Sequence, residues 1–202
     1  MGQGPAHRSR NAGGWQGQVK NNRERLRESY RPERVRVLFV GEAPPASGAF
    51  FYRRDSGLYR ALSSIFEKAF PRLRGQDFLA AFRGLGCYLV DLCGRPVDRL
   101  GPRERRGARR MGEVGLAEAI RRLHPLAIVV LLRSINENCA RAEEAAAWSG
   151  VRIVVPYPGR WVRWRDEFRE ILVPVLRRWM RDEVLNRPES RLPSFLHITR
   201  NT

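Results

Sequence analysis

An acidic residue follows the first strongly apolar run of the chain: Glu42 comes directly after VLFVG and precedes two prolines. Glycine lets a ligand approach the backbone closely, and proline leaves a loop little conformational freedom to lose on binding. Further along the same loop, the segment FFYRR (Phe50–Arg54) offers flat aromatic faces for a base and cations for phosphate. The first loop, Gly41–Asp55, is thus typical of a rigid nucleotide-binding loop. The alternative is that at least one of Phe50 and Phe51 only closes the end of a core.

Two later segments also combine polar or charged side chains with rigid residues. DLCGRPVDR begins with Asp91, which can hydrogen-bond a base edge or, more commonly, pair with an arginine. PYPGRWVRWRDEF interleaves three arginines with two tryptophans after Tyr157, and such a proline-stiffened loop suits insertion into a groove of DNA. We expect one of Trp161 and Trp164, but not both, to begin the packing face of the helix that follows.

The elements that must position these residues alternate along the chain. Short apolar runs predict strands that are buried on both faces, and amphipathic segments between and after them predict helices. The strands are expected at Val35–Val40, Cys87–Leu92, Ala127–Leu132 and Val151–Val155. The helices are expected at Leu58–Phe70, Arg103–Leu123, Ile135–Trp148 and Phe168–Met180, the last with a kink or break at Pro174.

This alternation predicts an α/β fold, a three-layer α/β/α sandwich around a central four-stranded parallel sheet. Ligands of such sheets bind beyond the carboxyl ends of the strands. Four loops therefore meet at the carboxyl edge of the sheet: the first loop, the second loop (Cys93–Leu100), the third loop (Arg133–Asn138) and the last loop (Pro156–Arg165). Residues 1–34 are expected to form a basic, largely flexible arm with one helix from about Val19 to Tyr30, and residues 184–202 a tail.

Charge points to a polyanionic partner. The chain has 38 basic and 21 acidic residues, a net charge of +17, and 36 of the basic residues are arginine. Such a field attracts nucleic acid, and the guanidinium group pairs with phosphate in a bidentate manner. Codon bias in a GC-rich genome is an equal explanation for the preference for arginine over lysine, but not for the net charge. The basic start of the helix at Arg103–Leu123 is either a solvated face or a patch for the DNA backbone.

Several classes of protein are disfavoured. The three cysteines form neither an even disulfide framework nor a CxxC pair, and no apolar segment approaches the length that spans a membrane. We therefore expect a cytoplasmic, nucleoid-associated protein with no membrane partner, acting as a monomer. No Walker-type loop or dinucleotide-binding glycine pattern supports a small-molecule nucleotide hydrolase.

The loops resemble those of the uracil-DNA glycosylase superfamily, and most closely its thermostable iron-sulfur branch. VLFVGEAPP is similar to that branch's first motif, Gly48–Phe51 to its Gly-x-x-Phe, CYLVDLCGRP to its second-strand segment, and PYPGR to its His-Pro loop. The resemblance covers about residues 35–183, which it implies to be a catalytic domain with the uracil-DNA glycosylase fold. The cluster cysteines of the branch are missing, so no iron-sulfur cluster, other metal or cofactor is expected.

The resemblance implies a monofunctional, metal-independent DNA glycosylase of base-excision repair. Such an enzyme turns a damaged, deaminated base such as uracil out of DNA and hydrolyses its N-glycosidic bond. Glu42 would orient the attacking water and stabilise the cationic sugar, and Tyr157 would stand in the place of the family histidine. The base would contact Gly41, Ala43, Phe51 and Asp91, and the DNA would contact Pro44, Pro45, Arg53, Arg95, Pro158, Gly159, Arg160, Trp161 and Arg163.

Two departures from the family pattern favour an alternative. The family's second-strand asparagine both donates to and accepts from uracil, whereas Asp91, when ionised, only accepts. The phenol of Tyr157 can donate a hydrogen bond but carries no charge near neutral pH. The alternative hypothesis is a non-catalytic DNA-binding member of the same fold.

Overall fold

The computed structural model describes residues 22–159 and 161–181. It contains four strands, six helices and three short 3-10 helices in the described part of the chain. The strands are β1 (Val37–Gly41), β2 (Cys87–Asp91), β3 (Ala127–Val130) and β4 (Val151–Val154). The helices are α1 (residues 22–29), α2 (Gly57–Ala69), α3 (Phe78–Gly84), α4 (Pro102–Leu123), α5 (Asn136–Ala145) and α6 (Val162–Arg181). The 3-10 helices are Phe51–Arg53, Pro71–Leu73 and Arg133–Ile135.

All four strands form one parallel sheet in the order β2-β1-β3-β4. The chain runs from β1 outward to β2, returns past β1 to β3, and continues to β4. The direction of winding thus reverses between β1 and β3, and the carboxyl edge at such a reversal is where ligands of this class of sheet bind. The predicted α/β fold with a four-stranded parallel sheet is confirmed.

One strand prediction is wrong in detail. β1 and β3 are buried throughout, but Val151 of β4 is 43% exposed and the other residues of that strand are half-buried. The reason is position, because β4 lies at an edge of the sheet and pairs only with β3. β2 lies at the opposite edge and is nevertheless buried over its first four residues.

Helices surround the sheet. α2 packs against α6 and α4 packs against α5, an arrangement compatible with three layers. The four helices predicted between and after the strands are confirmed with shifted ends, and α6 begins earlier than expected and continues through Pro174 without a break. α3 was not predicted; it begins where the Asp77 carboxylate accepts hydrogen bonds from the backbone N–H groups of Leu79 and Ala80.

An aromatic cluster fills the space between the sheet and the helices α2 and α3. Phe39 of β1 lies 5.2 Å from Phe82 and 6.2 Å from Phe66, measured between ring centroids. Phe78 contacts both helical rings at 5.4–5.5 Å. Buried aromatic pairs at these separations contribute packing beyond the area that they bury.

Residues 22–34 belong to the folded body rather than to a mobile arm. The ring of Tyr30 stacks on that of Tyr52 at 5.6 Å, and Glu28 accepts a hydrogen bond of 3.1 Å from the hydroxyl of Tyr88 in β2. Leu26 also packs against the core. The expected helix is confirmed over residues 22–29, and its contacts explain how an edge strand can be buried. The remainder of the predicted arm, residues 1–21, and the predicted tail, residues 184–202, lie outside the described residues.

Within residues 22–159 and 161–181, no helix is both long enough and apolar enough to cross a membrane.

Candidate functional site

Glu42 occupies the carboxyl edge of the sheet, directly after β1. Its side chain is 11% exposed, and both carboxylate oxygens accept hydrogen bonds from arginines of α4. Arg105 donates from Nε to Oε1 at 2.7 Å and from Nη2 to Oε2. Arg109 donates from Nε to Oε1 at 2.7 Å. One carboxylate therefore binds two guanidinium groups.

The same network extends to the third loop. Arg109 also donates to the backbone oxygen and to the hydroxyl oxygen of Ser134, each at 3.1 Å. Its side chain is 14% exposed, whereas that of Arg105 is 35% exposed. Arg109 thus joins the loop after β1 to the loop after β3 across the reversal of the sheet, and Arg105 lies at the solvent side of the network.

A glycine of α4 permits this arrangement. Arg105, Arg109 and Gly112 are spaced four and three residues apart, which places them on one face of a helix. A Cβ atom on Gly112 would lie 2.9 Å from the carbonyl carbon of Leu92 and closer still to its oxygen. Only glycine therefore lets the helix approach the end of β2 closely enough to bring both arginines to Glu42.

The charge state of Glu42 follows from these contacts. Burial acts to raise the pKa of the carboxyl group, but the hydrogen bonds from Arg105 and Arg109 and the charges of the two arginines outweigh it. The pKa lies below its ordinary value, so Glu42 is ionised at neutral pH.

Asp91 ends β2 beside β1 and pairs in register with Gly41. A Cβ atom on Gly41 would lie 2.9 Å from Oδ1 of Asp91, so the absence of a side chain there makes room for the carboxyl group. Burial raises the pKa of Asp91 to about 6, and the charges of Arg27 and Arg23 from α1 oppose this only in part. Asp91 is therefore a carboxyl group that titrates close to neutral pH.

The first loop is fixed by backbone and side-chain hydrogen bonds. The backbone N–H of Cys93 donates to the oxygen of Glu42 at 2.7 Å, and the Asp98 carboxylate accepts from the N–H of Ala46 at 3.1 and 3.2 Å. Gly48 has a φ of 87°, a conformation that glycine adopts without strain, and closes a turn on Pro45. Pro44 is buried, and Pro45 and Ala43 are half-buried.

The burial of Phe51 does not support its predicted stacking role. The residue is 4% exposed, and its ring packs against Tyr52, Tyr59, Phe78 and Phe82 at centroid distances of 5.0–6.1 Å. Phe50 and Tyr52 are equally buried. The alternative, that these aromatic side chains close the end of the core, describes the structure better. Three buried aromatic rings stabilise the fold more than the same rings would if they were exposed to water.

The two arginines of the first loop are engaged within the protein. Arg53 donates to the backbone oxygen of Gly48 and forms an ion pair with Asp55 at 3.2 Å. Arg54 has a left-handed φ of 68° and pairs with Asp77, the residue that caps α3. Arg53, predicted to contact DNA, thus also serves to hold its own loop. Arg95 of the second loop is exposed.

The last loop presents aromatic side chains at the surface. Tyr157 is 45% exposed, and burial of its phenol raises its pKa, so the hydroxyl remains protonated at neutral pH. Trp161 is 65% exposed, while Trp164 is half-buried beneath the guanidinium groups of Arg133 and Arg163 at 5.6 and 5.4 Å from its ring centroid. This difference fits the expectation that only one tryptophan begins the packing face of α6. Pro158 is buried, Gly159 half-buried and Arg163 exposed; the predicted Arg160 lies outside the described residues.

The structure thus brings some of the predicted residues together and leaves others apart. Cys93 lies within electrostatic reach of both Glu42 and Asp91, and burial raises the pKa of its thiol to about 11, so it is an inert side chain between two acids. Among the described residues, no hydrogen bond joins Tyr157 to either acid. An open groove between α2 and α6, whose lining includes Lys68, Arg74, Arg169 and Arg177, contains none of the predicted site residues.

The partners of Glu42 are not evident from the sequence. The arginines at the start of α4 are expected to form a solvated face or a DNA-backbone patch, whereas in the structure Arg105 and Arg109 bind the acid of the first loop. The usable signal was the spacing of these two arginines with Gly112 along one helical face. Their target, more than sixty residues earlier in the chain, could not be deduced from that spacing.

Comparison with known proteins adds no assignment. The chain matches no model of a known protein family, and no curated protein shows significant similarity to it. Among the residues that the structure describes, no group of three or more histidine, cysteine, aspartate or glutamate side chains is arranged to hold a metal ion.

Proposed function

We propose that this protein is a DNA glycosylase that hydrolyses the N-glycosidic bond of a damaged base, with the uracil-DNA glycosylase type of fold. The observation that carries the proposal is the ionised carboxylate of Glu42, fixed at the carboxyl edge of an inner strand where the winding of the sheet reverses. A fixed anion at this position suits a reaction whose transition state places positive charge on a sugar.

The chemistry requires little else from the protein. The bond between C1′ of the deoxyribose and the base nitrogen breaks, the electron pair leaves with the base, and a water oxygen forms the new bond to C1′. The proton of that water is finally taken up by the departing base or by solvent. Glu42 would stabilise the cationic sugar and orient the water. Its lowered pKa suits electrostatic stabilisation better than strong general-base catalysis.

Asp91 and Tyr157 would contact the base that leaves. A carboxyl group with a pKa of about 6 is protonated in part near neutral pH, and its protonated form can donate a hydrogen bond as well as accept one. This supports recognition of a base edge that carries both a donor and an acceptor, such as uracil. The protonated phenol of Tyr157 would donate to a base oxygen.

The surface around Glu42 supports DNA as the partner. Residues 95–110 contain seven arginines and two acidic residues, and Arg95, Arg99 and Arg103 are exposed there. Phosphate contacts by such a surface release counterions from DNA, so affinity depends steeply on salt. If about six phosphates are contacted, affinity should fall by about three orders of magnitude between 50 and 200 mM salt.

A second candidate function is DNA binding without catalysis. Two observations favour it: both oxygens of Glu42 are occupied by arginines, and Phe51 offers no exposed ring for a base. An acid with two cationic partners has its charge largely compensated, which weakens its attraction for a cationic sugar. The two candidates predict the same affinity for DNA and differ only in whether the bond is broken.

The deciding experiment incubates the protein with duplexes that each carry uracil, hypoxanthine, xanthine or hydroxymethyluracil, followed by alkaline cleavage. We expect alkali-labile sites with at least one lesion and a loss of about 100-fold in excision for Glu42→Ala, with DNA affinity changed only slightly. Binding with a steep salt dependence but no labile site would instead establish the second candidate. An equal loss of excision and affinity would assign Glu42 to folding or binding.

A further inference from the structure

The two arginines that bind Glu42 are held differently. Arg109 is nearly buried and makes two further hydrogen bonds to Ser134, so it is fixed from two sides. Arg105 is more than twice as exposed, and within residues 22–159 and 161–181 its side chain donates hydrogen bonds to Glu42 alone. Arg109 therefore has a structural role, whereas Arg105 can leave Glu42 without breaking any other hydrogen bond described.

The guanidinium group of Arg105 has bonding capacity to spare. It carries five N–H donors, and Glu42 accepts from the one on Nε and from one of the two on Nη2. The remaining donors lie on a side chain that is 35% exposed and that belongs to residues 95–110, which contain seven arginines. The Arg105 end of this ion pair is open to solvent, and Glu42 keeps Arg109 as a second cationic partner when Arg105 leaves.

The phosphodiester group is the anion that this position suits. Phosphate and carboxylate both match the two-pronged donor geometry of arginine, so a phosphate can replace Glu42 as the bidentate partner of Arg105. The exposed Arg95, Arg99 and Arg103 would raise the local concentration of a polyanion around it. Asp98, which attracts Arg105 electrostatically, is held by the backbone of Ala46 and does not compete for its hydrogen bonds in the structure.

We propose that Arg105 is a phosphate-binding residue that DNA draws away from Glu42, so that the carboxylate is released only when the nucleic-acid backbone is bound. In the free protein Arg105 occupies Oε2 of Glu42. With a phosphate on Arg105, Glu42 keeps its bond to Arg109, which holds it in position, and Oε2 becomes free to accept a hydrogen bond from water. Arg105 thus acts as a positioning residue whose partner changes with the substrate.

The part of this inference that concerns catalysis rests on the proposed function, but anion binding at Arg105 does not. The exchange also reconciles the two candidate functions. The charge of Glu42 is then balanced by two arginines only in the free protein, and not when DNA is bound. The exchange couples two events at one site: the binding of a backbone phosphate and the exposure of one carboxylate oxygen.

The test follows Glu42 and Arg105 by NMR in the full chain, with inorganic pyrophosphate and a short single-stranded oligothymidylate as separate probes. Each probe should shift the Nε–H resonance of Arg105 and raise the pKa of Glu42 by about one pH unit, because one of its two cationic partners has left. In Arg105→Ala the pKa of Glu42 should start higher and change little with either probe. Arg122→Ala, which removes an exposed arginine at the far end of α4, should behave as the wild type.

The alternatives give distinct results. If a bound phosphate acted on Glu42 only through space, the probes would shift its pKa equally in Arg105→Ala, and the exchange would be disproved. An Arg105 resonance unchanged by saturating amounts of both probes would also disprove it, without need of any variant. Exchange with both probes in a protein that excises no base would retain the inference and refute the glycosylase proposal.

Discussion

The carboxyl ends of β1 and β2 carry two acids with opposite properties. Glu42 is bound by two arginines, and its pKa lies below its ordinary value. Asp91 is one strand away and also half-buried, accepts no hydrogen bond at its carboxyl group within the described residues, and has a pKa raised to about 6. The two groups share one edge of one sheet, so the difference arises from their partners and not from their depth in the fold alone.

This contrast shows how a single edge can provide two kinds of chemistry. An acid whose charge is supported by guanidinium groups stays ionised, and an acid that is only desolvated retains its proton to higher pH. Pairs of acids separated in this way divide the roles of charge stabiliser and hydrogen-bond donor in many active sites. The following variants test this difference, beginning with the one that should have the largest effect.

Gly112→Ala should have the greatest effect because it moves the helix that carries both arginines. The new methyl group would meet the backbone of Leu92, which cannot yield as a side chain can. We expect a loss of about 3 kcal/mol in the free energy of unfolding, measured by urea denaturation, and a rise in the pKa of Glu42.

Gly107→Ala provides the matched control for that helix. A Cβ atom at Gly107 would have no neighbour within 4 Å, so this variant should be more stable than the wild type by about 0.5–1 kcal/mol. If both alanine variants were equally stable, the close approach at Gly112 would not be what positions the arginines.

Arg109→Ala should remove the fixed partner of Glu42 and leave Ser134 without its two hydrogen bonds. Because Glu42 is nearly buried, it would be left with one exposed counter-charge, and we expect a loss of about 2 kcal/mol in unfolding free energy. Arg106→Ala, at an exposed position three residues earlier, should change it by less than about 0.5 kcal/mol. Equal losses in the two variants would contradict a specific role for Arg109.

The pH dependence of stability should distinguish the two acids. The pKa of Glu42 is lowered on folding, so its stabilisation is complete above its ordinary value of 4.5 and is lost as the pH falls through the folded pKa. Asp91 behaves in the opposite way: between its ordinary value of 3.8 and about 6 the folded state holds the extra proton, so stability falls as the pH rises.

Glu42→Gln and Asp91→Asn remove these two contributions one at a time. Relative to the wild type, Asp91→Asn should gain about 2 kcal/mol of stability between pH 4 and pH 7, and Glu42→Gln should lose stability over the rise from acid to neutral pH. Urea denaturation at a series of pH values measures both differences. Changes of the same sign in the two variants would show that the acids are not shifted in opposite directions.

Much of the fold followed from the pattern of apolar residues. The four strands and four of the helices lie where their periodicity predicts, because burial of a strand or of one helical face is written locally in the chain. α3 was not predicted because it has only seven residues, too few for a long apolar stripe. Its start depends instead on the N-cap formed by Asp77. The exposure of β4 depends on which strands are neighbours, which periodicity does not specify.

The site was predictable in outline only. The rule for parallel sheets correctly placed Glu42 and Asp91 at one edge, because strand ends define that edge without any knowledge of side-chain contacts. The partners of Glu42 come from a helix distant in sequence, and their selection depends on how closely Gly112 lets that helix approach. The burial of Phe51 likewise depends on α3, the one helix between β1 and β2 that the pattern did not reveal.

The docking of residues 22–34 has a practical consequence for shortening the chain. A truncation at residue 35, where the apolar pattern begins, would remove Glu28 and Tyr30 and uncover the rings of Tyr52 and Tyr88. Exposed aromatic surface beside the outer strand of a sheet favours association with other molecules, so such a fragment should aggregate more readily than the longer chain. A shortened chain should therefore keep residues 22–34.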